Sequence, residues 1–122
     1  MPTITASSIL YKRNLKEMIL WETVTCGDVG TAYEIPDWAV SITIQVCGTF
    51  TDASSPAATA TLTLQGSNDG TNWATVPCNY LGNVAFTADG ILSLAILPKY
   101  VRPSMSLASG GDVDVYLFAR KT

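Results

Sequence analysis

Ala39-Val40-Ser41-Ile42-Thr43-Ile44-Gln45-Val46-Cys47 alternates strictly between two kinds of side chain. Val40, Ile42, Ile44 and Val46 fall on one face, and Ser41, Thr43 and Gln45 on the other. A period of two with one apolar face predicts a half-buried antiparallel strand. Pro36-Asp37 supplies a turn before it, and residues 48–58 read as a loop by composition. A second alternating run, Thr59 to Gln65, turns Leu62 and Leu64 inward. It leads through Asp69-Gly70 into a return strand, Trp73 to Val76, which Pro77 ends. Asp-Gly supplies the positive φ that a tight hairpin needs.

The same punctuation continues to the C-terminus. Val84 to Thr87, Ile91 to Leu97 and Tyr100 to Leu107 read as strands, separated by Asp89-Gly90 and Pro98-Lys99. Pro103 inside the third implies an edge or a bulge. After Ser109-Gly110-Gly111-Asp112, the run Val113 to Arg120 places Val113, Val115, Leu117 and Ala119 on one face. Upstream, Met18 to Thr25 is rich in β-formers and precedes a turn at Cys26 to Gly30. About eight short strands without a helical period predict an all-β fold, an antiparallel β-sandwich or jelly-roll-like domain. Residues 18–122 form that domain. Residues 1–17 are expected to be an extended N-terminal arm, with Ile9 to Glu17 either a short helix or a continuation of it.

Composition excludes several function classes. The chain has 122 residues, enough for one domain with its own core. Apolar residues make up 48% and charged residues 14%, which excludes a disordered chain. There is no histidine, which removes His-based triads and His metal sites. The net charge of -3 offers no basic field for nucleic acid. No run approaches the ~18 apolar residues of a transmembrane helix. Lys12, Arg13, Lys16 and Glu17 interrupt the N-terminal stretch where a signal peptide would be apolar, so synthesis in a cytoplasm is expected. Cys26, Cys47 and Cys78 lack C-x-x-C spacing and read as small apolar residues. The loop 64–73 lacks the twelfth-position Glu of an EF-hand. Asp112 and Asp114 read as a solvated strand end rather than as a catalytic carboxylate pair. No enzyme activity, cofactor, metal, nucleic acid or membrane is therefore expected.

Two groups are candidates for contact with a partner. Tyr116 and Phe118 lie opposite the apolar face of the last strand, so that strand is apolar on both sides. The second side needs cover, from the chain itself or from another subunit. Leu10, Tyr11, Lys12 and Arg13 lie in the arm, which is basic, while every acidic residue except Glu17 lies beyond it. Tyr33, Trp38 and Phe50 flank turns, as core caps or as contact residues. Trp38 and Trp73 also suit an alternative, a carbohydrate-binding sandwich that stacks sugars on an exposed indole.

The string Gly66-Ser67-Asn68-Asp69-Gly70-Thr71-Asn72-Trp73 follows the strands Ile42 to Phe50 and Thr61 to Gln65. With Asp89-Gly90, Leu97-Pro98-Lys99-Tyr100-Val101-Arg102-Pro103-Ser104 and the closing Phe118-Ala119-Arg120, it resembles small structural proteins of tailed-bacteriophage virions. The resemblance spans roughly residues 39–120. It is similar to β-sandwich capsid decoration (cement) proteins. It implies a homotrimer on the outer capsid surface, with the major capsid protein as partner. A tail, baseplate or fibre component of the same phage is the alternative role.

Overall fold

The computed structural model describes residues 3–11, 16–52, 55–78, 82–106 and 111–121. Among these the chain forms fourteen strands and no helix. They are β1 (Thr3–Ile4), β2 (Ser7–Tyr11), β3 (Lys16–Thr25), β4 (Val29–Gly30), β5 (Tyr33–Glu34), β6 (Ser41–Thr49) and β7 (Thr51–Asp52). There follow β8 (Ser55–Thr59), β9 (Leu62–Ser67), β10 (Ala74–Thr75), β11 (Ala85–Phe86), β12 (Gly90–Ser93), β13 (Tyr100–Met105) and β14 (Asp112–Arg120). One sheet has the order β12-β6-β14-β3-β2. A second runs β1-β4-β13-β9-β10, with β11 also on β9 and β5 on β13, and β7 and β8 form a separate two-stranded sheet. All pairings are antiparallel except β1 with β4. The all-β sandwich expected from the alternating runs is the architecture observed.

The core forms where the inner faces of the two larger sheets meet. Ile42, Ile44 and Val46 of β6 and Val113, Val115, Leu117 and Ala119 of β14 are buried in it. Leu62 and Leu64 of β9 and Val101 of β13 belong to the same cluster. Trp21 of β3 is fully buried, and its Nε1 donates to the Thr31 carbonyl at 3.2 Å. The alternation that hides Ile19 and Trp21 breaks before Val24. Val113 pairs with Val24 and Val115 with Trp21, so Glu22 and Thr23 oppose Asp114 alone. This is a β-bulge. Thr23 takes a φ of 55°, and its N–H donates to Asp114 Oδ1 at 3.0 Å. Asp114 therefore satisfies the amide that the bulge displaces from the ladder.

Several sequence expectations are corrected. The N-terminal segment is not a separate arm: β1 joins one sheet and β2 the other, and the expected boundary after residue 17 falls inside β3. Thr31 anchors the segment, donating its N–H to the Ile4 carbonyl and accepting the Ala6 N–H on Oγ1. The expected 48–58 loop contains the β7–β8 ribbon. Val40 is 63% exposed, because β6 begins at Ser41 and Val40 precedes its alternation. The strand expected to reach Leu97 ends at Ser93, leaving Ile96 and Leu97 exposed.

Pro103 lies in an interior strand, not at an edge, and no register shift occurs beside it. Met105 N–H donates to the Asp28 carbonyl, so by alternation the Pro103 nitrogen faces the same side. There the neighbours β4 and β5 are interrupted, and no ladder bond is lost. Gly30 makes room for the ring: a Cβ at that position would stand 2.5 Å from Pro103 Cδ.

Leu117→Ala is expected to cost about 2–5 kcal/mol of unfolding free energy. Val40→Ala is expected to stay within about 0.5 kcal/mol. Urea denaturation compares the two, and similar midpoints for both variants would contradict the assignment of Leu117 to the core and Val40 to the surface.

Candidate functional site

β14 presents two faces because side chains alternate across a strand. Its odd-numbered residues fill the core, and Asp114, Tyr116, Phe118 and Arg120 face outward. Cross-strand register builds the rest of the outer face. Phe118 pairs with Met18 and Tyr116 with Leu20 on β3; on the other side they pair with Thr43 and Gln45 of β6. Gln45 in turn pairs with Ile91 of the edge strand β12. The result is two rows of side chains across the sheet, apolar at β3 and β14 and polar at β6, that end on β12 with Ile91 in the Tyr116 row and Ser93 in the Phe118 row. Met18, Thr43, Gln45, Ile91, Tyr116 and Phe118 line a shallow depression of about 270 Å³. Ile91 is 63% exposed. Directly opposed aromatic and aliphatic side chains stabilise a sheet, yet here their outer sides remain open to water.

Charge brackets these rows. Arg120 and Lys16 pair at one end, with the Arg120 guanidinium 6.0 Å from the Phe118 ring centre. At the other end stand Asp114 and Glu22. The Tyr116 hydroxyl is pushed above its ordinary range, first by the electrostatic influence of Cys47, then by burial, Asp114 and Glu22. Cys47, Asp114 and Glu22 thus share the side of the sheet that carries Tyr116.

The structure brings Tyr116 and Phe118 together as expected. Of the other candidates, Leu10 and Tyr11 lie in β2, where their backbones pair with Glu17 and Lys16. Lys12 and Arg13 lie outside the described residues. Met18, Leu20 and Ile91 were not legible as part of this face. Their signal is positional, since each occupies the outward register of a strand whose neighbours are known only from the fold. Phe50 is buried, and Trp38 is partly buried against the core. Tyr33 donates its hydroxyl to Glu17 Oε1, tying β5 of one sheet to β3 of the other. Burial and this carboxylate raise the Tyr33 pKa far above the usual phenol range.

The hairpin loop after β9 is built for its own geometry. Asp69 Oδ1 accepts the N–H groups of Thr71 and Asn72, both at 2.8 Å, and the Ser67 hydroxyl. Asp69 Oδ2 accepts from Asn72 Nδ2 at 2.7 Å. Gly70 takes a φ of 77°. The Asn and Asp side chains of this motif therefore close a turn. Beyond it, one face of Trp73 is occupied by the Arg102 guanidinium, 4.0 Å from the ring centre, whose Nε donates to Gln65 Oε1. Asp114 is likewise spent on the bulge. Among the described residues, no group of three or more His, Cys, Asp or Glu is placed to hold a metal ion.

No protein-family model matches the sequence, and no curated protein does. Solved structures match in fold. The SPBc2 prophage-derived protein YomS superposes with a TM-score of 0.61 at 8% identity, over 86% of this chain and 94% of that one. A cupin domain from Bordetella pertussis Tohama I gives 0.46 at 10% identity, over 98% of both chains. CsCBM6-3 from Clostridium stercorarium, in complex with cellobiose, gives 0.36 at 15% identity, over 99% of this chain and 98% of that one. The likeness to YomS is one of fold.

The hydrogen bonds from Asn72 and Thr71, with those from the Asn72 and Ser67 side chains, hold the Asp69 carboxyl well below its ordinary value. A folded-state pKa below the unfolded one supplies stability in full above about pH 4, lost as the pH falls further. Asp69→Asn is expected to flatten the acid limb of thermal stability between about pH 4 and pH 2. An acid limb as steep as that of the wild type would contradict the role given to this carboxylate.

Proposed function

We propose that this chain is a non-enzymatic structural protein of a phage virion that binds the outer surface of the capsid and stabilises it. The observation that carries the reading is the apolar outer face of the five-stranded sheet, bracketed by charge, on a fold shared with a prophage-derived protein. A sheet face of this kind suits assembly better than catalysis. It offers a broad surface with aromatic anchors. The resemblance of residues 39–120 to decoration proteins supports the same reading, with the major capsid protein as the shell partner.

The mechanism is thermodynamic linkage. A protein that binds the assembled lattice and not its separated subunits stabilises the lattice by RT ln(1 + [L]/Kd), about 2.7 kcal/mol per site at a hundredfold excess over Kd. Contacts repeated across many capsomer boundaries then resist the outward pressure of packaged DNA. Nothing in this mechanism needs a bound cofactor or metal.

The test is copy number. Purified virions are expected to hold this chain in near-stoichiometric ratio to the major capsid protein, measured by quantitative mass spectrometry. A handful of copies per particle would move it to the tail, baseplate or fibre. Absence from particles would overturn the virion reading.

A further inference from the structure

We infer that the outer face of the five-stranded sheet is occupied by a second copy of this chain, stacked face to face about a two-fold axis that runs across the strands. The inference rests on the reading of this face as an assembly surface and gives the face to a second copy, so that contact with the capsid in the proposed function falls to the other surfaces of the dimer. It is carried by the order of side chains along β14 and β3. Arg120 and Lys16 lie at one end of the face. The Phe118–Met18 and Tyr116–Leu20 rows follow, and Asp114 and Glu22 close the other end. The distance from Arg120 to Asp114 along an extended strand is about 20 Å.

Such a face is complementary to itself in one orientation only. Two sheets that meet face to face are related by a two-fold axis lying in the plane between them. An axis along the strands would lay basic end on basic end and acidic on acidic. An axis across the strands lays Arg120 and Lys16 of one copy over Asp114 and Glu22 of the other, at both ends. It also lays the Phe118–Met18 row on the Tyr116–Leu20 row. Like charges brought together across an interface are penalised, so the charges select the second axis. Isologous contacts of this kind close at two copies.

The area suffices. β3, β6 and β14 run nine or ten residues, but β2 only five and β12 only four, so at about 3.4 Å per residue and 4.8 Å between strands the face covers roughly 600 Å². Two copies together bury roughly 1,200 Å², the lower end of the range for stable protein–protein interfaces. Two β-sheets packing in this way sit about 10 Å apart, filled by the side chains between them.

Sedimentation velocity on the full chain tests the inference at tens of micromolar, above the roughly micromolar Kd of the weakest standard-sized interfaces. The wild type is expected to sediment as a dimer and Phe118→Asp as a monomer with unchanged circular dichroism. Two charge variants make the test independent of that substitution. Lys16→Glu with Arg120→Glu leaves both ends acidic; Glu22→Lys with Asp112→Lys, the latter at the exposed outward position next to Asp114, makes the second end net basic while keeping the Asp114–Thr23 hydrogen bond. Each alone is expected to lose at least tenfold in self-association, and a mixture of the two to restore the dimer as a heterodimer. If Phe118→Asp does not fold, the charge pair decides. A monomeric or trimeric wild type, or a charge-variant mixture that stays monomeric, overturns the inference. So does a monomer that binds purified capsids and loses that binding in Phe118→Asp, which would give the face to the shell. A monomer abundant in virions would leave the proposed function standing without the dimer, and a dimer absent from virions would do the reverse.

Discussion

β14 is paired on both sides, to β6 along its whole length and to β3 on either side of the bulge at Asp114, and the rest of the molecule depends on that double ladder. It brings the last strand of the chain into the middle of a sheet whose other members come from the first half and from β12. Every odd-numbered residue from Val113 to Ala119 is driven into the core. The same ladder fixes every even-numbered residue on the opposite face. The outward rows of Tyr116 and Phe118 are thus a geometric consequence of core formation. A one-residue slip would bury Asp114 and Arg120 and expose Leu117, so the register is held by burial itself.

Departures from regular pairing follow from single local demands. The bulge at Glu22–Thr23 lets β3 satisfy two inward sets, Ile19 with Trp21 and then Val24, and Asp114 accepts the displaced amide. Pro103 occupies the interior of a sheet because its nitrogen faces the gap between β4 and β5, with Gly30 making room for its ring. In both places a polar or ring group sits where the ladder has nothing to lose. The Asp69 loop follows the same logic, since one carboxylate absorbs the amides that the turn leaves unpaired.

The parts of this fold that were legible in the sequence are those where one rule acts alone. Ile42, Ile44 and Val46, and Val113 to Ala119, show an uninterrupted period of two, and the structure buries them as read. β3 is legible as a strand, but its sequence does not mark Trp21 as a central core residue, because the bulge breaks the period within its run. The N-terminal segment is not legible as strand because Ser7 and Ser8 carry no apolar signal. Their place in β2 comes from long-range pairing with Leu20 and Ile19. The exposure of Val40 is not legible because alternation does not mark where a strand begins. For the outer face, Tyr116 and Phe118 were visible as excess apolarity on one strand. Met18, Leu20 and Ile91 became part of it only through cross-strand register, which a single sequence does not display.

Taken together, these features describe a domain stabilised from one side of its main sheet and left apolar on the other. Hydroxyl-radical footprinting of the chain in its assembled form, set against the same chain at high dilution, tests that account most directly. The account predicts that Met18, Tyr116 and Phe118 are labelled less in the assembled form, while Ile96 and Leu97, exposed elsewhere, are labelled equally in both. Equal labelling of Met18, Tyr116 and Phe118 in the two states would contradict it.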